Sequence, residues 1–152
     1  MDVNNSVNIG QELDWDDQIE NTQTPIDIPD GEYDFIVDHY ERAKAGGDGK
    51  YAGQNMAAIY CNILAGDAEP QIRTNIIMNK KFEWKLSQFF VSIGLMEDKE
   101  GAKLKMNWNQ VGGARGRCKV EHKPNYNDVT KSHLEITEFL KPKGAKKWGA
   151  GF

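Results

Sequence analysis

Arg115, Arg117 and Lys119 alternate with Gly116, Cys118 and Val120. Every second residue of a β-strand points to the same face, so this spacing gathers three cations on one side, where they can line a track for phosphates. It equally describes a plain solvated face opposite a core of Cys118 and Val120. Arg73, between Ile72 and Thr74, points away from the side of Ile72 and Ile76 and so suits a binding surface. Two irregular stretches add further cations and rings. Arg42, Lys44, Lys50 and Tyr51 lie in or beside the run AKAGGDGKYAG, and Lys123, Tyr126 and Lys131 in or beside KPNYND. Tyr33, Phe35 and Tyr60 are rings in strand-like segments, each either a stacking platform or a core residue. Cations for phosphates and exposed rings for bases are what binding a single nucleic-acid strand requires, each stack contributing about 1–3 kcal/mol.

Other chemistries find no pattern in the chain. The run Gly112-Gly113-Ala114-Arg115-Gly116-Arg117 lacks the GK[ST] ending of a phosphate loop and a helix to follow it. His39, His122 and His133, with Cys61 and Cys118, have no metal-ligand spacing. Asp14, Asp16 and Asp17 mimic part of a calcium loop but lack its glycine and closing glutamate. No Ser, His and Asp set stands in a local motif. The expectation is a binding protein rather than an enzyme, without metal or cofactor. Both cysteines fall in apolar segments and form no CxxC pair, which reads as buried thiols rather than a disulfide.

The elements that must position these side chains follow from periodicity. Residues 32–40 alternate, with Tyr33, Phe35, Val37 and His39 on one side and Asp34, Ile36, Asp38 and Tyr40 on the other. Glycines make residues 41–54 a long flexible loop. Residues 55–64 and 71–78 read as strands joined by a turn around Gly66. Phe82, Leu86, Phe89, Phe90 and Ile93 form a helical stripe, and Gly94 stands where a helix C-cap belongs. Residues 114–122 alternate, residues 123–128 read as a polar loop, and Leu134, Ile136, Glu138 and Leu140 mark a last strand. Trp84 and Trp108 are expected to be structural.

Three strands, a helix and two strands is the order of an OB-fold, a five-stranded Greek-key barrel that binds through strands 2 and 3 and the loops beside them. The expected fold is therefore mainly β, an OB-fold-like barrel over residues 29–142 with one α-helix between strands 3 and 4. An acidic flexible leader (1–28) and a basic flexible tail (143–152) flank it.

Charge is divided between these parts. The chain has 152 residues and a net charge of -4, yet residues 1–30 hold eight acids and no Lys or Arg. Residues 31–152 keep all 19 basic residues against 15 acids, a net of +4, so a polyanionic partner is compatible with the acidic total. Mean hydropathy is -0.68. No apolar run approaches the roughly 18 residues of a membrane span, and the leader lacks the basic start of a secretory signal, so the cytoplasm is the expected location. Trp15 and Trp148 lie in the flanking segments, where a large ring points to a partner.

The segments PDGEYDFIVDHYERA, FEWKLSQFFVSIGL and LKMNWNQVGGARGRCKV resemble a family of phage-encoded single-stranded DNA-binding proteins of replication and recombination modules. The likeness spans roughly residues 29–142. It implies an OB-fold, sequence-tolerant binding of single-stranded DNA, and a bacterial host cell as the location. The tail, with Trp148 and Phe152, is similar to the flexible phenylalanine-ended tails by which bacterial single-strand binding proteins recruit partners, although theirs are acidic. Replication or recombination proteins are the partners this implies. The acidic leader is expected to compete with DNA for the basic groove. A protein-interaction or structural module is the other expectation, and an RNA or duplex binder a third.

Overall fold

Alternation of apolar and polar residues produces five antiparallel strands: β1 (Gly31–Lys44), β2 (Asn55–Leu64), β3 (Gln71–Ile77), β4 (Arg115–Asn125) and β5 (Asp128–Leu140). A computed structural model of the chain describes residues 10–20 and 26–142, so the tail 143–152 and what is expected of it lie outside the described residues. The strands form one sheet in the order β3-β2-β1-β4-β5. The run β4-β1-β2-β3 has the spatial order of a Greek key. No ladder joins β3 to β5, so the sheet is open at that seam rather than a hydrogen-bonded barrel.

Between β3 and β4 the Asn79 side chain accepts the Lys81 backbone N–H and starts a 3-10 turn, Lys80–Phe82, that runs into α1 (Glu83–Ser92). Gly94 ends the helix at φ +82, a left-handed conformation that a side chain would oppose. The inward stripe of α1, Leu86, Phe89 and Phe90, packs into the core on the inner side of the sheet. Phe89 meets Phe139 edge-on at 5.1 Å, and Phe139 meets Phe35 at 5.6 Å. Trp108 joins this core, tilted on Tyr40 at 5.1 Å and edge-on to Phe90 at 5.2 Å. Trp84 is 56% exposed, contrary to the structural role expected of it, because it sits off the inward stripe.

The close approach of α1 to the sheet depends on Gly116. A Cβ there would lie 2.7 Å from Ser92 Oγ, 2.8 Å from Phe35 Cζ and 2.9 Å from the Ser92 carbonyl oxygen. In the space this leaves, Ser92 Oγ donates to the Arg117 carbonyl at 2.8 Å and accepts the Arg117 N–H at 3.0 Å.

Several boundaries differ from those read in the sequence. β1 runs on to Lys44, and the glycine-rich loop is residues 45–54, closed by Gly53 N–H to Ala45 O (2.7 Å) and Ala45 N–H to Gln54 O (2.8 Å). The expected polar loop 123–128 is mostly strand: β4 and β5 continue as a two-stranded arm that turns at Tyr126-Asn127. Ile28, placed in the leader by composition, is buried in the core. Two irregularities also reverse the expected faces. The register shifts between Val37 and His39, so beyond Asp38 it is Tyr40 that turns inward and His39 outward. A second shift between Lys119 and Val120 puts Phe139, rather than Leu140, in the core.

Cys61 and Cys118 are free and fully buried. Burial pushes both thiols up, Cys118 to about 12, which leaves them protonated and inert as nucleophiles. No helix among the described residues is long and apolar enough to cross a membrane.

Candidate nucleic-acid interface

The outer face of the sheet, opposite the core, carries most of the candidate side chains, and the register says which of them share it. His39 pairs with Tyr60 and Tyr60 with Arg73, so one row across β1, β2 and β3 aligns a histidine, a tyrosine and an arginine. The rings of His39 and Tyr60 stack at 4.3 Å with 11° between planes, and the Arg73 guanidinium lies 5.6 Å from the Tyr60 ring centroid. Arg73 is exposed and steadied by Nε donating to Asn75 Oδ1 at 3.0 Å. The Tyr60 hydroxyl donates to Glu41 Oε1 at 3.3 Å. Together they form a tier in which Tyr60 lies between His39 and Arg73, stacked on the imidazole and with the guanidinium over its ring, a polarisable group of the kind that stacks on nucleobases.

Along the same face toward β4 lies the ladder read from the sequence. Arg115, Arg117 and Lys119 do share the outer side, opposite Ile36, Asp34 and Glu32 of β1. Those partners are mostly acids, and they hold the cations. Arg115 Nη2 is 3.2 Å from Asp34 Oδ2, and Arg117 is 3.3 Å from Glu32 and 3.4 Å from Asp34. Lys119 and Lys123 each stand 3.6 Å from Glu121. The ladder is a network of exchangeable ion pairs rather than a bare positive stripe.

The other candidates separate into three places. Lys123, Lys131 and Tyr126 lie on the β4–β5 arm, with the Tyr126 ring fully exposed at its tip. Lys50 and Tyr51 lie in the β1–β2 loop, where Lys50 approaches the Tyr51 ring at 5.9 Å and Tyr51 meets Phe82 edge-on at 5.1 Å. The loop is thus folded back onto the start of α1. By strand direction this loop and the arm lie at opposite ends of the sheet, flanking the outer face. Tyr33, Arg42 and Lys44 do not join the outer row. Tyr33 is half-buried against the core and donates to Pro29 O at 2.6 Å. Arg42 borders a cleft beside Tyr40 and Trp108 on the inner side, and Lys44 Nζ donates to Asn55 Oδ1 at 2.7 Å. His39 is the residue that sequence reasoning missed, because strict alternation placed it inside.

A separate cluster fastens the start of the domain. The His122 ring bonds Asp30 through Nδ1 (2.5 Å) and Asp27 through Nε2 (2.7 Å), and its backbone N–H donates to Asp30 at 2.9 Å. Hydrogen bonds to Asp30 and then Asp27 hold the His122 imidazolium above its ordinary pKa, and the bonds from His122 hold Asp30 below the usual carboxylate range. Among the described residues no group of three or more His, Cys, Asp or Glu is placed to hold a metal ion.

Comparison with known proteins adds no relative: no family model matches the chain, and no curated protein matches it.

Proposed function

We propose that the protein binds single-stranded DNA on the outer face of an OB-type sheet, laying bases on the His39–Tyr60 tier beneath Arg73 and phosphates along Arg115, Arg117 and Lys119. The tier carries the reading: two stacked rings capped by an exposed guanidinium lie on the outer side of the sheet, where they match the face and edge of a base. The fold supports it. An OB-fold orders its strands 1-2-3-5-4-1, and opening that ring between strands 3 and 5 gives the observed order. The β1–β2 loop and the β4–β5 arm flank the tier, as the two binding loops of an OB-fold do. Binding exchanges the carboxylates of Glu32 and Asp34 for phosphates, so affinity is steeply salt-dependent. No reaction is involved. The resemblance to phage single-stranded DNA-binding proteins suggests a role in replication or recombination.

The test is fluorescence anisotropy of labelled oligo(dT) at low and moderate salt, with a duplex of equal length as competitor. Salt-sensitive binding that the duplex fails to displace, and that Tyr60→Ala weakens by about 5- to 150-fold through the loss of one stack, is the expected result. Absence of binding at low salt would overturn the proposal.

A further inference from the structure

Away from that face, α1 and the segment that follows it enclose an apolar cleft of about 370 Å³. Leu86 and Phe90 form its floor, Met96, Leu104 and Met106 its walls. Leu104 and Met106 are 36% and 40% exposed along this cleft. Methionine-rich walls adapt to an inserted ring. The cleft is bordered by Lys80 and Lys103. Lys80 is paired with Glu83, but Lys103 has no ion-pair partner among the described residues, nor has Lys105 between the two wall residues. The acids Glu97, Asp98 and Glu100 border the neighbouring cleft beyond Met96, and Asp98 is occupied by Lys141.

The leader has the complementary chemistry. Residues 11–20 hold five acids and no base, with Leu13, Trp15 and Ile19 between them. All three apolar side chains are exposed, Trp15 completely. An indole presented to water beside three aspartates gains by docking the burial of a large ring, set against the entropy of ordering the leader. The leader is fastened at Asp27 and Asp30 to His122, whereas α1 packs on β4 at Gly116 and Arg117, several residues nearer the strand's other end. Its anchor therefore lies about 20 Å along the strand from its own cleft, and the fully exposed Trp15 is not seated in that cleft.

We propose that residues 12–19 of one copy dock in the α1 cleft of a second copy, Trp15 entering between Met96, Leu104 and Met106 while Asp14, Asp16 and Asp17 meet Lys103 and Lys105. The contact joins copies end to end and uses no residue of the outer face, so neighbouring molecules on one strand can hold each other. It stands whether or not the ligand of that face is DNA.

Sedimentation velocity of the full chain without DNA, across a concentration series, tests this together with a labelled peptide of residues 10–20. The full chain should self-associate, and Trp15→Ala and Met106→Glu should each remain monomeric. The peptide should bind the Trp15→Ala chain, about tenfold or more weakly when Lys103→Glu is added, and not at all when Met106→Glu is added. Circular dichroism and a thermal melt show whether Met106→Glu folds; if it does not, Lys103→Glu carries the result. Concentration-independent mass of the full chain overturns the proposal, as does peptide binding that ignores the cleft variants or is displaced by oligo(dT).

Discussion

Asp34 decides how much of the arginine ladder is available to a phosphate, and replacing it with asparagine keeps its shape while removing its charge. Arg115 then loses its only ion-pair partner among the described residues, while Arg117 keeps Glu32. Asp34 is about one-third exposed and Arg115 mostly so, which makes that pair worth about 0.2–1 kcal/mol, while the pair with Arg117, 21% exposed, lies at or above the top of that range. Asp34→Asn should therefore cost the fold about 2 kcal/mol, a tolerable part of an ordinary domain's stability of about 5–15 kcal/mol. Its effect on DNA binding has the opposite sign. Each arginine newly free to neutralise a phosphate steepens the slope of log affinity against log salt by about 0.7 on a single strand, so one or two released side chains add about 0.7–1.4. Over a fourfold fall in salt the upper figure corresponds to a gain of about sevenfold. Anisotropy titrations with oligo(dT) at several salt concentrations measure both quantities. Glu100→Gln changes net charge equally at a distant turn and serves as the control, for which the slope should not change. A slope for Asp34→Asn equal to that of the control, or a shallower one, would refute the ladder as a phosphate track even if the His39–Tyr60 tier still binds bases.

Three further perturbations test the supports of this face. Ser92→Ala strands the Arg117 N–H and carbonyl, at about 1–3 kcal/mol for each unsatisfied group, and should lower the melting temperature by several degrees, read by calorimetry. Gly116→Ala drives a methyl into the Ser92 backbone and the Phe35 ring and should cost about 1–3 kcal/mol in chemical denaturation; combined with Ser92→Ala the loss should be smaller than the sum, because one clashing atom has gone. The His122 clamp gives a pH dependence. The folded pKa of His122 is raised, so its contribution is complete below the ordinary value of 6.5 and fades as pH rises through the folded value; that of Asp30, held low, fades only as pH falls below the carboxylate range. Thermal melts should therefore show stability declining on the alkaline side, with His122→Gln flattening that decline, and an unchanged profile would show that the clamp does not titrate there.

The strands, the helix and the ladder's common face were legible in the sequence because each is set by local period: Arg115, Arg117 and Lys119 must share a side wherever residues 115–119 are extended, and Gly94 stops a helical stripe wherever it stands. What the sequence hid was set by partners distant along the chain. Nothing local marks Asp34 as the counter-ion of an arginine 81 positions away; that requires the β1–β4 register. Nor does local pattern reveal whether glycines leave a loop free, and here Tyr51 is held on Phe82.

The irregularity at Asp38 is the most consequential of these hidden features. A strand that alternated through it would bury His39 and expose Tyr40, leaving Tyr60 without its stacked neighbour on the outer face and Trp108 with only Phe89 and Phe90 as ring contacts among the described residues. The register shift does the reverse at one position, giving the core Tyr40 and the outer face His39. It is held in place from the side: Val37 N–H donates to Ala114 O at 2.8 Å and accepts through its carbonyl from Gly113 N–H at 2.7 Å, both at the entrance to β4. The backbone that introduces the arginine ladder is thus the backbone that fixes the bulge beneath the aromatic tier. The two halves of the candidate site are built by one local interaction, and a change at residues 113–114 should disturb base stacking and phosphate contacts together.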